Sequence, residues 1–200
     1  MPQVTATDPE QGYSASASGH QKDAQETLRS IAFHADDPDL THDQRLAALL
    51  LGISYYTTDQ SADAERIFEG LTRADPRLAQ AWYYRALLAP AGKSHEALEW
   101  VDRSLELDPR SAPALYLRGK LLRAAHRPGE ATRDLEGAAK LDPQWAPPHY
   151  LLSQIYRQEH ETASAERELK LVSQINSGDQ PTQSSQLREF LNQLAISSNP

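Results

Sequence analysis

The sequence predicts an all-α fold, a right-handed helical-repeat solenoid of about four helix pairs with flanking helices at its N- and C-terminal ends. Three series of residues predict it, because each recurs with the same period of 33 or 34 residues. The series are Asp75-Pro76, Asp108-Pro109 and Asp142-Pro143; Ala64, Ala97, Ala131 and Ala165; and Gly52, Ala86, Gly119 and Ser153. A period shared by three separate series indicates one structural unit repeated along the chain.

The N-terminal part of the chain precedes the repeats. Residues 1–21 are rich in Ser, Thr, Gln and Gly and are expected to be disordered. Residues 22–40 are expected to form an N-terminal flanking helix that covers the first repeat, since residues 22–35 place apolar side chains on one stripe. That stripe consists of Ala24, Leu28, Ile31, Ala32 and Ala35.

The repeat array is expected to span residues 41–177, with units at about 45–76, 77–109, 110–143 and 144–176. Each unit is interpreted as two helices. In the third unit, the first helix places Leu115, Gly119 and Leu122 on one face, and the second places Ala131, Leu135 and Ala138 on one face. Small residues in both helices predict a close crossing, because a large side chain there would hold the backbones apart.

The ends of the helices are also predicted by local residues. Asp-Pro should end each second helix, because the residue before proline is displaced from the helical region, and proline also suits the entry to the next helix. The spacing from the small residue of the first helix to the next alanine is 12 residues in three units, but 11 from Ala86 to Ala97. This difference predicts a one-residue deletion in the loop at residues 90–94, where a repeat tolerates it.

Residues 178–200 are interpreted as a linker and a C-terminal capping helix. Residues 185–196 carry an apolar stripe at helical spacing, and Ser184 or Ser185 could cap the helix. The stripe consists of Leu187, Phe190, Leu191 and Leu194. A terminal helix of this kind protects the last apolar face of a solenoid from water.

The repeated motif resembles the signature of the tetratricopeptide (TPR) family, as found in bacterial TPR arrays. The matching residues are Leu51-Gly52, Tyr55, Ala64, Phe68 and Pro76 in the first unit; Trp82, Ala86, Ala97 and Pro109 in the second; Gly119, Ala131 and Pro143 in the third; and Leu152, Ser153, Tyr156 and Ala165 in the fourth. In the fourth unit Asn176-Ser177-Gly178 stands in place of Asp-Pro. The resemblance covers about residues 45–176, and it implies a stack of helix pairs without indicating a particular ligand.

Composition restricts the classes of partner. The formal net charge is −8, of which −6 lies in residues 1–44, and this acidic bias argues against nucleic acid. No apolar run reaches the roughly 18–20 residues of a membrane span, so no membrane insertion is expected. With no cysteine, the chain is expected to be soluble and cytoplasmic by default, or periplasmic if a signal peptide has been removed.

No catalytic, cofactor-binding or metal site is predicted, and the protein is not expected to be an enzyme. Gly92-Lys93-Ser94 resembles the end of a phosphate-binding loop, but Leu87 replaces the required earlier glycine. His160-Glu161 begins like a zinc-protease helix, but Ser164 replaces the second histidine. His149 occupies a large-residue position in its repeat and is interpreted as a packed histidine.

The candidate binding residues lie on the first helices, which line the concave face of a repeat solenoid. Tyrosines recur at this face with spacings of 33 and 34 residues, and polar residues follow four and seven positions later. The predicted peptide-binding residues are Tyr83, Tyr116, Lys120, Arg123, Tyr150, Gln154 and Arg157. The alternative is that the tyrosines are structural and wedge between neighbouring helices. Arg85 and Arg118 are expected to lie along the groove wall.

The predicted function is a non-catalytic protein–protein interaction scaffold. Its partner would be a protein or an extended peptide that is acidic or ends in a C-terminal carboxylate, because tyrosine offers apolar contact and arginine binds carboxylate. One alternative is the substrate-binding or regulatory subunit of an enzyme complex whose catalytic part lies on another chain. A further alternative is a purely structural protein whose groove holds its own acidic N-terminal segment.

Overall fold

A computed structural model describes residues 39–90 and 92–177, which form eight α-helices and no strand. The helices are α1 His42–Thr57, α2 Ser61–Ala74, α3 Ala79–Leu87, α4 Ser94–Leu107, α5 Ala112–Ala124, α6 Pro128–Leu141, α7 Ala146–Gln158 and α8 Thr162–Asn176. The most extensive helix–helix contacts join α1 with α2, α3 with α4, α5 with α6 and α7 with α8. The prediction of an all-α fold built from four helix pairs is confirmed. The predicted disordered segment and the two flanking helices lie outside the described residues.

The chain divides into two compact units after Pro109. The first unit contains α1 to α4, and the second contains α5 to α8. In the first unit, α2 also contacts α3, and in the second, α6 also contacts α7. Within each unit, therefore, the second helix of one pair packs against the first helix of the next.

The core of the first unit is built around Phe68 of α2, which is fully buried. Its ring stacks on Tyr84 of α3, with ring centroids 4.8 Å apart and planes only 8° from parallel. A β-carbon at Gly52 of α1 would lie 2.7 Å from Cζ of Phe68, which is closer than van der Waals contact allows. The small residue at this position is therefore required by the close crossing of α1 and α2, as the sequence predicts.

The second unit repeats this arrangement with other side chains. A β-carbon at Gly119 of α5 would lie 2.8 Å from Cγ of Leu135 and 3.2 Å from the carbonyl oxygen of Ala131, both in α6. Ala131 and Leu135 are fully buried. The aromatic ring of the first unit is thus replaced by an aliphatic side chain at the same crossing.

Asp-Pro ends the second helices through a specific turn. Asp75, Asp108 and Asp142 are the C-caps of α2, α4 and α6, each with φ of −135°. The carbonyl of Asp75 accepts a hydrogen bond from the backbone N–H of Leu78 at 3.1 Å, as in a β-turn with proline at its second position. The next helix begins at Ala79, so the proline lies in the turn between the helices and not at the helix entry.

The turns inside the helix pairs use a backbone conformation that the sequence analysis did not anticipate. Asp59, His126 and His160 have φ of 59°, 58° and 63°, in the left-handed region. The residue after each one donates its N–H to a carbonyl five residues back; Arg127, for example, bonds Leu122 at 2.9 Å. This pattern is a Schellman-type helix end, a position usually occupied by glycine.

The second pair is shortened at its first helix. α3 has 9 residues, whereas α5 and α7 have 13 each. Pro90 is the physical reason, because its ring has no N–H and would clash with the carbonyl four residues earlier in a continued helix. The loop that the sequence predicts to carry a deletion is therefore also the place where the first helix stops early.

Candidate functional site

The seven candidate residues lie on three first helices. Tyr83 lies on α3 in the first unit, and the other six lie in the second unit. On α5 they are Tyr116, Lys120 and Arg123, and on α7 they are Tyr150, Gln154 and Arg157. Offsets of four and seven keep each group of three on one helical face. We call the surface formed by these six residues the α5–α7 face.

A hydrogen bond joins the two helices at this face. Nη1 of Arg123 donates to Oε1 of Gln154 at 2.7 Å, so a side chain of α5 is held directly against a side chain of α7. Both residues are partly buried. The two halves of the predicted site in the second unit are therefore adjacent.

The tyrosines of the face differ in exposure. Tyr150 is 50% exposed, which is unusual for a large aromatic side chain in a folded unit. Tyr116 is partly buried, and its ring centroid lies 4.8 Å from that of Trp145, the N-cap residue of α7. Tyr150 is therefore available for contact with a partner, whereas Tyr116 contributes at least partly to packing.

Two cations of the face extend into solvent. Lys120 and Arg157 are both exposed. Neither forms a hydrogen bond or an ion pair with another residue in ranges 39–90 and 92–177. Together with Arg123, they place three positive charges beside the exposed ring of Tyr150.

Tyr83 lies apart from this set in the description, because it belongs to the first unit. It is partly buried, and its ring meets that of Tyr84 edge-on, with centroids 5.1 Å apart and planes at 71°. The positions that would continue the polar part of the site on α3 are Leu87 and Pro90. The α3 face is therefore apolar where the α5–α7 face is cationic.

The expected position of Arg85 and Arg118 along the groove wall is wrong. Arg118 of α5 forms two parallel hydrogen bonds with Asp134 of α6, at 2.6 and 2.7 Å. Arg85 of α3 lies over the Trp100 ring of α4 at 4.3 Å and donates to Oγ1 of Thr72 in α2 at 3.1 Å. Both guanidinium groups are bound to second helices, and burial lowers the pKa of Arg85.

Two polar pairs near the face were not predicted. The Tyr156 hydroxyl of α7 donates to Oε1 of Glu136 in α6 at 2.8 Å, and burial together with this hydrogen bond raises the tyrosine pKa. His149 of α7 is buried, as predicted, and its Nδ1 lies 2.7 Å from Oε2 of Glu168 in α8. The signal in the sequence was the spacing of a polar residue one helix away, which is not distinctive without the fold.

No group of three or more potential metal-ligating side chains occurs among the described residues. Within the same ranges, no helix is long and apolar enough to cross a membrane. The chemistry that the α5–α7 face offers is therefore contact with an apolar or aromatic group and pairing with an anion.

Repeated helix pairs that pack second helix to next first helix define a helical-repeat protein of the all-α class. The fold is similar to that of MamA, a TPR-like helical-repeat protein. A MamA structure from Desulfovibrio magneticus RS-1 matches with a TM-score of 0.65 and 18% identity, covering 86% of this chain and 95% of that chain. MamA AMB-1 matches with a TM-score of 0.64 and 21% identity, covering 84% and 97%.

A further MamA crystal structure matches with a TM-score of 0.63 and 14% identity, covering 89% of this chain and 98% of the other. Identities this low show a shared fold and carry no information on the ligand. No protein-family model matches the sequence, and no curated protein matches it.

Proposed function

We propose that this chain is a non-catalytic TPR-type interaction scaffold that binds an extended peptide segment of a partner protein on the α5–α7 face. The observation that carries the proposal is the Arg123–Gln154 hydrogen bond, which joins two first helices beside the exposed Tyr150. A helical-repeat fold offers such faces as binding surfaces, because successive first helices stand side by side.

The charge of the face defines the chemistry of the partner. Lys120, Arg123 and Arg157 are positive, and the two exposed cations bind no side chain of the described chain. An acidic side chain or a C-terminal carboxylate would pair with them, since arginine can donate two parallel hydrogen bonds to a carboxylate. Tyr150 would contribute an apolar surface to the residue that lies next to that carboxylate.

The binding experiment uses a library of short peptides, half with free C-termini and half amidated, screened against the full-length chain. Enrichment of acidic residues or of free C-termini is the expected result. The affinity of the selected peptides is then measured for Lys120→Ala combined with Arg157→Ala, for Tyr150→Ala, and for the control Lys140→Ala, an exposed lysine of α6.

The variants should separate the two contributions. Removing both cations should weaken binding at least tenfold and flatten its dependence on salt, because the lost attraction is screened by ions. Tyr150→Ala should weaken binding with little change in salt dependence, because its contact is apolar. If the double variant binds the peptides as tightly as the control does, the α5–α7 face is not the binding surface.

A further inference from the structure

α1 presents an apolar stripe to solvent at the start of the described array. Leu46 is 48% exposed and Leu50 is 46% exposed, and a spacing of four places them on one face of the helix. Ile53, seven residues after Leu46, continues the stripe and is partly buried. Large aliphatic side chains exposed on adjacent turns indicate a surface that another element covers.

The repeat supplies an internal comparison for this stripe. Leu50, Tyr84 and Leu151 occupy the same position, since each lies two residues before the small residue of its first helix. Tyr84 stacks on Phe68, which belongs to the preceding second helix, α2. Leu151 is only 7% exposed. Leu50 thus exposes a position that, in α3, packs against the second helix before it.

The sequence before α1 carries the pattern of a second helix. Ala24, Leu28 and Ile31 have offsets of four and seven, the same as those of Ala64, Phe68 and Leu71 in α2. In α2 all three of these positions are fully buried. Asp37-Pro38 then follows the segment, as Asp-Pro follows the second helices of the first three repeats.

The connection between this segment and α1 is short. Leu40 is buried against the first unit, and Thr41 caps α1, with its N–H bonded to Oε1 of Gln44 at 2.9 Å. Only residues 36–39 separate Ala35 from Leu40. At roughly 3.5 Å per residue, the C-terminal end of the segment cannot lie farther than about 20 Å from the start of α1.

We propose that residues 22–35 are the second helix of an additional repeat and pack on the apolar stripe of α1, with Leu28 against Leu50 as Phe68 packs against Tyr84. This surface of α1 is then closed by the chain itself. The array accordingly contains four complete helix pairs preceded by a half-repeat.

Engineered cysteines test the contact directly, because the chain contains no cysteine of its own. The full-length chain with Leu28→Cys and Leu50→Cys should form an intramolecular disulfide under mild oxidation, visible as faster migration on a non-reducing gel. The control pairs Arg29→Cys with Leu50→Cys. Arg29 is one residue away on the proposed helix and therefore about 100° around it, so this pair should remain reduced.

Thermal unfolding of Leu28→Ala, Leu50→Ala and the double variant gives a second measurement. Each single variant should lower Tm by a few degrees, and the double variant should lower it by less than the sum, because both remove the same contact. Equal cross-linking of the control pair, a disulfide-linked dimer at low protein concentration, or strictly additive shifts in Tm would each overturn the proposal. The dimer would assign the stripe to a second copy of the chain.

Discussion

At the scale of single residues, the crossing of α5 and α6 leaves no room for larger side chains. Ala131 is fully buried, and its carbonyl oxygen would lie 3.2 Å from a β-carbon at Gly119. Ala131→Leu should therefore overpack the crossing and lower the free energy of unfolding by about 1–3 kcal/mol. The exposed Arg133 of the same helix provides the control, since Arg133→Ala should change stability by less than about 0.5 kcal/mol. Equal melting temperatures for the two variants would contradict this account of the crossing.

The pairing of Arg118 with Asp134 shows why the sequence predicts helical faces better than side-chain contacts. The spacing places Arg118 on a face of α5, but a long side chain can bind on either side of it. Asp134 lies within reach only because α5 and α6 cross closely at Gly119. The partner of Arg118 thus depends on a packing distance that periodicity does not contain.

Loss of this pair should lower stability in a way that lysine cannot restore. The Asp134 side chain is only 10% exposed, so Arg118→Ala leaves a buried carboxylate without its charged donor and should cost about 2–3 kcal/mol. Arg118→Lys should recover little of that loss, because a lysine cannot form two parallel hydrogen bonds in a planar fork. Arg103→Ala, which removes an exposed pair with Glu106, is the control and should cost less than about 1 kcal/mol. Full recovery by lysine, measured by urea unfolding, would mean that only the charge matters.

At the scale of the element, the turn after α5 holds a residue in an unfavourable backbone conformation. His126 has φ of 58°, where a β-carbon costs roughly 1–2 kcal/mol. His126→Gly removes that cost but adds freedom to the unfolded chain, and the two effects leave a net gain of about 0.5–1 kcal/mol. Ala125 is the matched control, because its φ of −82° is ordinary and Ala125→Gly should instead lower stability. Denaturant midpoints that fall for both variants would show that His126 makes contacts worth more than its strain.

The helix ends show which parts of the elements the sequence predicts. Asp75, Asp108 and Asp142 end their helices because the residue before proline leaves the helical region, which is a local effect and so is contained in the sequence. The left-handed residues Asp59 and His126 are different, since neither is glycine, the usual residue there. Their conformation is imposed by the packing of the helix pair, and it therefore becomes evident only in the folded structure.

At the scale of the whole chain, the repeat allows each end of the described array to be compared with its interior. Phe68, Leu135 and Leu169 occupy the same position of successive second helices. Phe68 and Leu135 are fully buried, whereas Leu169 of α8 is partly exposed and Leu171 is 40% exposed. α8 therefore shows at the end of the array what α1 shows at its start, a face that corresponds to an interior surface of the other repeats.

The exposed face of α8 motivates a prediction about residues 181–200, which lie outside the described residues and carry the stripe of the expected capping helix. A chain truncated after Gln180 should have a lower Tm and should self-associate, because the apolar surface of α8 would lack its cover. Sedimentation velocity at several protein concentrations measures the association. The full-length variant Leu187→Ser combined with Leu191→Ser should behave like the truncated chain, since it removes the stripe while keeping the length. The control Gln186→Ser lies next to the stripe and should leave both Tm and sedimentation unchanged. A truncated chain that stays monomeric with an unaltered Tm would show that these residues do not cover α8.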